Sequence, residues 1–248
     1  YFHNIKNDQN NKTVSYEQSL KDLNDLVDYA LNCFNQKQVI ILGHSYGTIL
    51  GSEYALQYKE KVSAYIAVSQ VTSIEKTDLY SYKDALNKAN ELGDDTSALV
   101  DAYENFIKNN DIISLMNLRR LTSKYHQVEI PDKTLNMALF SPYFNIDDLK
   151  WFIKQNGNLE DYFALNKDLF DYTLNFDVYK NELTYDMPVY FISGTCDWIC
   201  PVDSIKEYAD NITSPEVKMI TLDGCGHNVQ YSEPKLFSIK LKELLKNK

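Results

Sequence analysis

Cysteine is scarce in this chain. The four present, Cys33, Cys196, Cys200 and Cys225, are too few to staple a disulfide scaffold, and 248 residues can bury a core without one. A reducing, cytoplasmic setting is the expectation. Also missing is any uninterrupted apolar run of bilayer length, so no membrane partner is expected. No basic-then-apolar segment opens the chain as a secretory signal would. Positive charge is in deficit: 25 Lys and Arg stand against 35 Asp and Glu, giving a net charge of -10 and a pI near 4.9. Such a balance argues against a sequence-independent grip on nucleic acid, which needs clustered cations to replace counterions around phosphates. Internal repeats, low-complexity tracts and Pro/Gly/Ser-rich joints are absent as well. One catalytic domain with an insertion fits that pattern better than a separate helical domain on a linker.

What is present reads as globular: 44% of residues are hydrophobic and 24% charged. The opening Tyr1 to Thr13 is polar, has no apolar period and reads as a surface loop. From Ser15 onward, Leu20, Leu23, Leu26, Val27, Ala30, Leu31 and Phe34 recur at three- and four-residue steps, the spacing of one buried helix face. Gln38 to Leu42 is a short β-branched run ending at Gly43, which suits a strand buried on both faces of a parallel sheet. Thr48 to Lys59 reads as the next helix. Strands follow at Val62–Ser69, Val189–Ile192 and Val217–Leu222, with helices at Val202–Asn211 and from Ser232 to about Leu245. This alternation predicts an α/β fold with a parallel sheet flanked by helices. Between Gln70 and Asp186 the rhythm gives way to helical segments rich in Tyr, Asn, Leu and Asp. The expected organisation is a core made of residues 1–70 and 187–248, with residues 71–186 forming a helical cap over the strand ends.

Gly43-His44-Ser45-Tyr46-Gly47 is a G-x-S-x-G pattern lying directly after a strand and directly before a helix. In so tight a turn the Ser45 hydroxyl is held up and exposed, and flanking glycines remove Cβ atoms that would collide. The Tyr46 backbone N–H, at the helix N-terminus, is placed to receive a developing oxyanion. Asp197 lies in Gly194-Thr195-Cys196-Asp197-Trp198-Ile199-Cys200-Pro201, just past the next long strand, and His227 follows the last one. Taken singly, Asp197 reads as a turn or helix-cap residue and His227 as a structural hydrogen-bonder. Ser, Asp and His in that order, each beyond its own strand, point instead to nucleophile, orienting acid and general base.

Through these three motifs, which include Gly226-His227 with Glu233-Pro234, the chain resembles the α/β-hydrolase superfamily. In detail it is similar to the proline iminopeptidase-like branch, whose members carry a large helical cap at the position of residues 71–186. The resemblance implies that Ser45 attacks a carbonyl, that His227 takes and returns the proton, and that Asp197 orients the imidazole. It implies no cofactor and no metal. Members of that branch also begin with further strands and an HG-rich loop supplying a second oxyanion N–H, which this sequence lacks. The expectation is a fragment, a truncated gene product, or a chain whose sheet is completed by a missing N-terminal segment. Iminopeptidases usually have Gly and Trp around the serine where this chain has His44 and Tyr46, and His44 is expected to pack inside.

A competing constellation is Cys196, Cys200, Cys225 and His227, three thiols and an imidazole that could ligate zinc, although the spacing is unusual. In the cap, Tyr80, Tyr82, Tyr103, Phe106, Phe140, Tyr143, Phe144, Trp151, Phe152, Tyr162, Phe163 and Phe170 are expected to form mainly its own core, with a few lining a pocket. Glu75, Asp78, Glu91, Glu104 and Asp171 include candidates to hold a substrate amine; a solvated acidic face is the plainer reading of each. The expected function is hydrolysis of a small ester or amide, including short peptides, through an acyl-enzyme. An aminopeptidase stands ahead of a general carboxylesterase, and a catalytically silent binding protein of the same fold is the rival from another class.

Overall fold

The computed structural model describes residues 15–157 and 159–246. The expected loop at Tyr1–Thr13 lies outside the described residues. The first helix, α1 (Tyr16–Phe34), starts where the Ser15 side chain accepts from the Gln18 N–H, and it ends at Asn35 in the left-handed region. Then follow β1 (Val39–His44), α2 (Tyr46–Gln57) and β2 (Val62–Val68). A long helical run comes next: α3 (Ile74–Leu92), α4 (Ser97–Asn109), α5 (Ile112–Thr122), α6 (Thr134–Leu139), α7 (Ile146–Gly157), α8 (Leu159–Leu165) and α9 (Lys167–Asn175). The chain returns to the sheet with β3 (Val189–Gly194), α10 (Val202–Asn211) and β4 (Val217–Leu222), and closes with α11 (Val229–Ser232) and α12 (Pro234–Leu245). Pro234 sits in the first turn of α12, where its missing N–H leaves no helical bond unmade. Among the described residues, no helix is long and apolar enough to cross a membrane.

The four strands form one parallel sheet in the order β1-β2-β3-β4. The central pair, β2 and β3, is buried almost throughout, as its unbroken apolar runs require. Alternation splits these strands between two faces. On one, Tyr65, Ala67, Val189 and Phe191 share a core with Val71, just after β2, and with Ile74, Phe106 and Leu118 from the helical run. On the other, Ala64, Ile66, Val68, Tyr190 and Ile192 pack against Val229 and Leu244 of α11 and α12. Each fully buried Ile or Phe contributes roughly 1.5–3 kcal/mol to this arrangement.

Two expectations need correction here. The β1 strand is not buried on both faces: Ile41 is, whereas Ile40 and Leu42 stand 40% and 45% exposed. Among the described residues β1 is a terminal strand, so its second face lies open where the central strands are covered. On α1, Leu26 and Phe34 are exposed rather than part of the buried face. Helix α1 packs through a narrower stripe that includes Leu20, Leu23, Val27 and Leu31, and Leu26 lies about 100° around the axis from Val27.

The topology sets the site. All four strands run parallel, so their carboxyl ends share one rim of the sheet. The turns after β1, β3 and β4 carry Ser45, Asp197 and His227 to that rim.

Candidate active site

Ser45 occupies the single-residue turn between β1 and α2 with φ 53° and ψ -123°. A non-glycine residue there costs about 1–3 kcal/mol, which the surrounding structure must over-determine. Its backbone is tied down on both sides: Ser45 N–H donates to the Val68 carbonyl at 3.0 Å, and Thr48 N–H donates to the Ser45 carbonyl at 2.8 Å. The two flanking glycines are not under the same constraint. A Cβ on Gly43 would lie 2.3 Å from the Gly47 carbonyl oxygen, so the turn closes only without it. A Cβ on Gly47 would meet nothing within 4 Å, which corrects the expectation that both remove a collision.

The Ser45 Oγ lies 2.7 Å from His227 Nε2, and His227 Nδ1 lies 3.0 and 3.1 Å from the two Asp197 oxygens. Asp197 is buried, and its Oδ1 also accepts from the backbone N–H groups of Ile199 at 3.0 Å and Cys200 at 2.9 Å. A carboxylate can only accept, so the imidazole proton resides on Nδ1 and Nε2 is left to accept from the Ser45 hydroxyl. The geometry therefore brings together all three side chains that the sequence singled out. The Tyr46 N–H is the first of α2 and has no carbonyl one turn back within the helix to bond.

Sequence reading missed how the histidine loop is held. The His227 backbone carbonyl accepts from His44 Nε2 at 3.1 Å and from the Ser69 hydroxyl at 2.9 Å. Ser69 is buried and adopts φ 52°, immediately after β2. His44 is partly buried as expected, but it makes a directed bond rather than only packing. Burial holds its pKa below the ordinary value of 6.5, although the His227 carbonyl opposes that shift. Only a residue pairing across 183 positions records this contact, and no local pattern announces it.

Beside Ser45 opens a cavity of about 400 Å³. Its wall is largely apolar, including Val71, Ile74, Leu115, Leu169 and Ile199, with Tyr162 and Phe170 from the helical run. Tyr82 and Phe106 are core residues as expected, whereas Tyr80, Phe140 and Tyr143 are exposed. The side chains of Trp151 and Phe152 lie outside the described residues. Arg119 also lines the cavity, a residue that sequence reading did not select. Its Nε donates to Asp78 Oδ1 at 2.8 Å and its Nη2 to Asp78 Oδ2 at 2.7 Å. Burial pulls the guanidinium pKa down, but Asp78 more than offsets this and the net shift is upward.

The five carboxylates considered for an amine anchor do not line this cavity. Asp78 is engaged by Arg119, Asp171 pairs with Lys167, and Glu75, Glu91 and Glu104 are exposed. As for a metal, among the described residues the group whose ligand atoms lie within 4.8 Å of one another is Asp197, Cys200 and His227, not the four-residue set of three cysteines and His227. Two of its members already bond each other, and burial, aided by Asp197, pushes the Cys200 thiol well above its usual range. A thiol ligand must be deprotonated, so this chemistry suits a metal poorly.

A sequence model of the alpha/beta hydrolase fold matches residues 7–234. The chain is 23% identical over 261 residues to the protein named Probable aminopeptidase YbaC of Bacillus subtilis (strain 168), a match covering 96% of this chain and 78% of the relative. It is 28% identical over 97 residues to the Proline iminopeptidase of Saccharolobus solfataricus, covering 38% of this chain and 30% of that one. Both support the resemblance to the proline iminopeptidase-like branch. Among solved structures, MGS-M2, an alpha/beta hydrolase enzyme from a Medee basin deep-sea metagenome library, superposes with a TM-score of 0.51 at 16% identity. That match covers 95% of this chain and 74% of MGS-M2, and it bears on the fold alone. With the parallel sheet, the elbow after β1 and a family match across nearly the whole length, the chain belongs to the α/β-hydrolase fold family.

Proposed function

We propose that this chain is a cofactor-independent serine hydrolase that cleaves a small ester or amide through an acyl-enzyme. Ser45 attacks the carbonyl carbon while His227 Nε2 takes its proton. The imidazolium, held by Asp197, then protonates the leaving alcohol or amine. The Tyr46 N–H and the positive end of α2 stabilise the oxyanion. In the second half, water attacks the acyl carbon while His227 accepts its proton, the bond to Ser45 Oγ breaks as the imidazolium returns that proton to the serine oxygen, and the acid product leaves. The observation that carries this reading is the bonded series from Ser45 Oγ through His227 to Asp197, at 2.7 and 3.0 Å. Residues 71–186 act as the cap that selects substrate, over a core of residues 1–70 and 187–248. The four cysteines, none of them in a disulfide, fit a reducing compartment.

Two substrate readings follow from different observations. The relatives' names, Probable aminopeptidase and Proline iminopeptidase, favour an amide with a free amine beside it. The cavity favours an ester or amide without that amine, because no carboxylate is among its described lining residues. Hydrolysis of proline-naphthylamide measured against short p-nitrophenyl esters separates them: a higher kcat/KM on the naphthylamide supports the aminopeptidase, and a higher value on the esters supports the esterase. Activity on neither removes the proposal.

A further inference from the structure

The Asp78–Arg119 pair is asymmetric toward the cavity. Arg119 lines it with Ser45 and keeps 24% of its side chain exposed, whereas Asp78 does not line it and keeps 4%. Among the described residues, the hydrogen bonds of the Arg119 side chain go to Asp78 alone, through one N–H on Nε and one on Nη2. A guanidinium has five N–H groups in a fixed fork, so three donors remain. Of the other polar side chains of the wall, Asn166 donates to the Tyr162 carbonyl at 2.8 Å and Thr173 to the Leu169 carbonyl at 2.7 Å, while the Tyr46 hydroxyl is buried without a hydrogen-bond partner among the described residues. A largely apolar wall with one held cation asks for a ligand that is mostly apolar and carries an acceptor oxygen. An ammonium group in the same place meets a like charge and no described carboxylate.

We propose that Arg119 determines specificity by donating, on the acyl side of the substrate, to a second oxygen function set apart from the carbonyl that Ser45 attacks. A carboxylate and an amide carbonyl share the needed acceptor chemistry. Asp78 acts through Arg119, as a positioning residue that fixes the fork. This inference rests on the serine hydrolase reading and narrows its substrate class. A site built around a hydrogen-bonding group discriminates strongly against the analogue that lacks it. One charge-assisted bond corresponds to about 10- to 100-fold in kcat/KM.

The test uses p-nitrophenyl monoesters of matched length: a pentanoate, its glutarate half-ester, the corresponding glutaramate and a 4-aminobutyrate. The full chain is expected to prefer glutarate, glutaramate or both over pentanoate by about 10- to 100-fold, with aminobutyrate slowest. Preference for glutarate alone identifies a carboxylate, and equal preference for both identifies a carbonyl-type acceptor; each supports the proposal. In the double variant Arg119→Met with Asp78→Asn, which leaves no unpaired buried charge, the ratio of glutarate or glutaramate to pentanoate is expected to fall to about one. Arg119→Lys, which keeps the ion pair without the fork, is a second variant in case the first does not fold, and should lower the ratio at least several-fold. Pentanoate or aminobutyrate as the best substrate of the full chain, or a ratio that survives in a folded variant, overturns the assignment. Labelling of Ser45 by a fluorophosphonate keeps the two failures apart: with labelling and no preference, this inference alone falls, whereas without labelling the hydrolase reading falls and takes it along.

Discussion

His44 donates through Nε2 to the backbone carbonyl of His227 at 3.1 Å, so the residue before Ser45 holds the loop that carries the His227 imidazole. Ser69 donates to the same oxygen at 2.9 Å. The imidazole of His227 is thus fixed at its side chain by Asp197 and at its main chain by two donors on other strand ends. Losing one donor is expected to cost about 1 kcal/mol of positioning, roughly a fivefold fall in kcat, with KM little changed. His44→Phe should show this fall, and His44→Gln, which retains an N–H donor, should recover most of it. Steady-state kinetics on one ester, with kcat and KM separated, checks the point.

The two glycines of the elbow are expected to respond oppositely to the same substitution. Gly43→Ala places a methyl 2.3 Å from a backbone oxygen that cannot move without opening the turn. A destabilisation of at least about 2 kcal/mol and loss of activity should follow. Gly47→Ala meets no neighbour and lies in the first turn of α2. Stability should hold or rise by up to about 1 kcal/mol, as alanine relieves the entropy cost of helical glycine. Urea unfolding midpoints of the two variants decide between these outcomes.

The strand-to-helix rhythm and the elbow were legible because both are local. Short continuous apolar runs name strands, three- and four-residue steps name helices, and a serine between two glycines at their junction names the turn. Asp197 and His227 were found through order and placement after strands. What escaped has no local signature. The open face of β1 at Ile40 and Leu42 depends on sheet order, not on the apolar run itself. Arg119 stands 41 positions from Asp78, so no local pattern names the pair, and the commitment of Asp78 to it removes Asp78 as an amine anchor. Ser69 gave no hint because its bond to His227 spans 158 positions.

The Asp78–Arg119 pair should behave as a buried charge pair. Asp78→Ala leaves the cation without its partner and is expected to cost about 3 kcal/mol, the lower end for such pairs because Arg119 is partly open. Removing both charges should cost less than the sum of the single changes. Thermal or urea denaturation of the three variants forms the cycle.

Acidification should weaken the fold through His126. Its ring stacks on Trp198, the neighbour of Asp197, at 5.2 Å, and Nε2 donates to the Ser81 carbonyl at 3.1 Å. Burial lowers its pKa from 6.5, an effect opposed by Asp84 and reinforced by Lys88. The unfolded chain therefore binds this proton more readily than the folded one, so stability is full above pH 6.5 and falls as pH drops toward the folded pKa. His44 is lowered in the same direction. His126→Phe should flatten part of this slope, as read from urea midpoints between pH 7.5 and 5.

The most direct measurement is intact mass and peptide mapping after treatment of the 248-residue chain with a fluorophosphonate. One adduct, located on Ser45, abolished by Ser45→Ala and slowed by orders of magnitude in His227→Ala, is the predicted result. An unlabelled chain, or an adduct on another residue that persists in Ser45→Ala, would contradict the assignment of Ser45 as nucleophile.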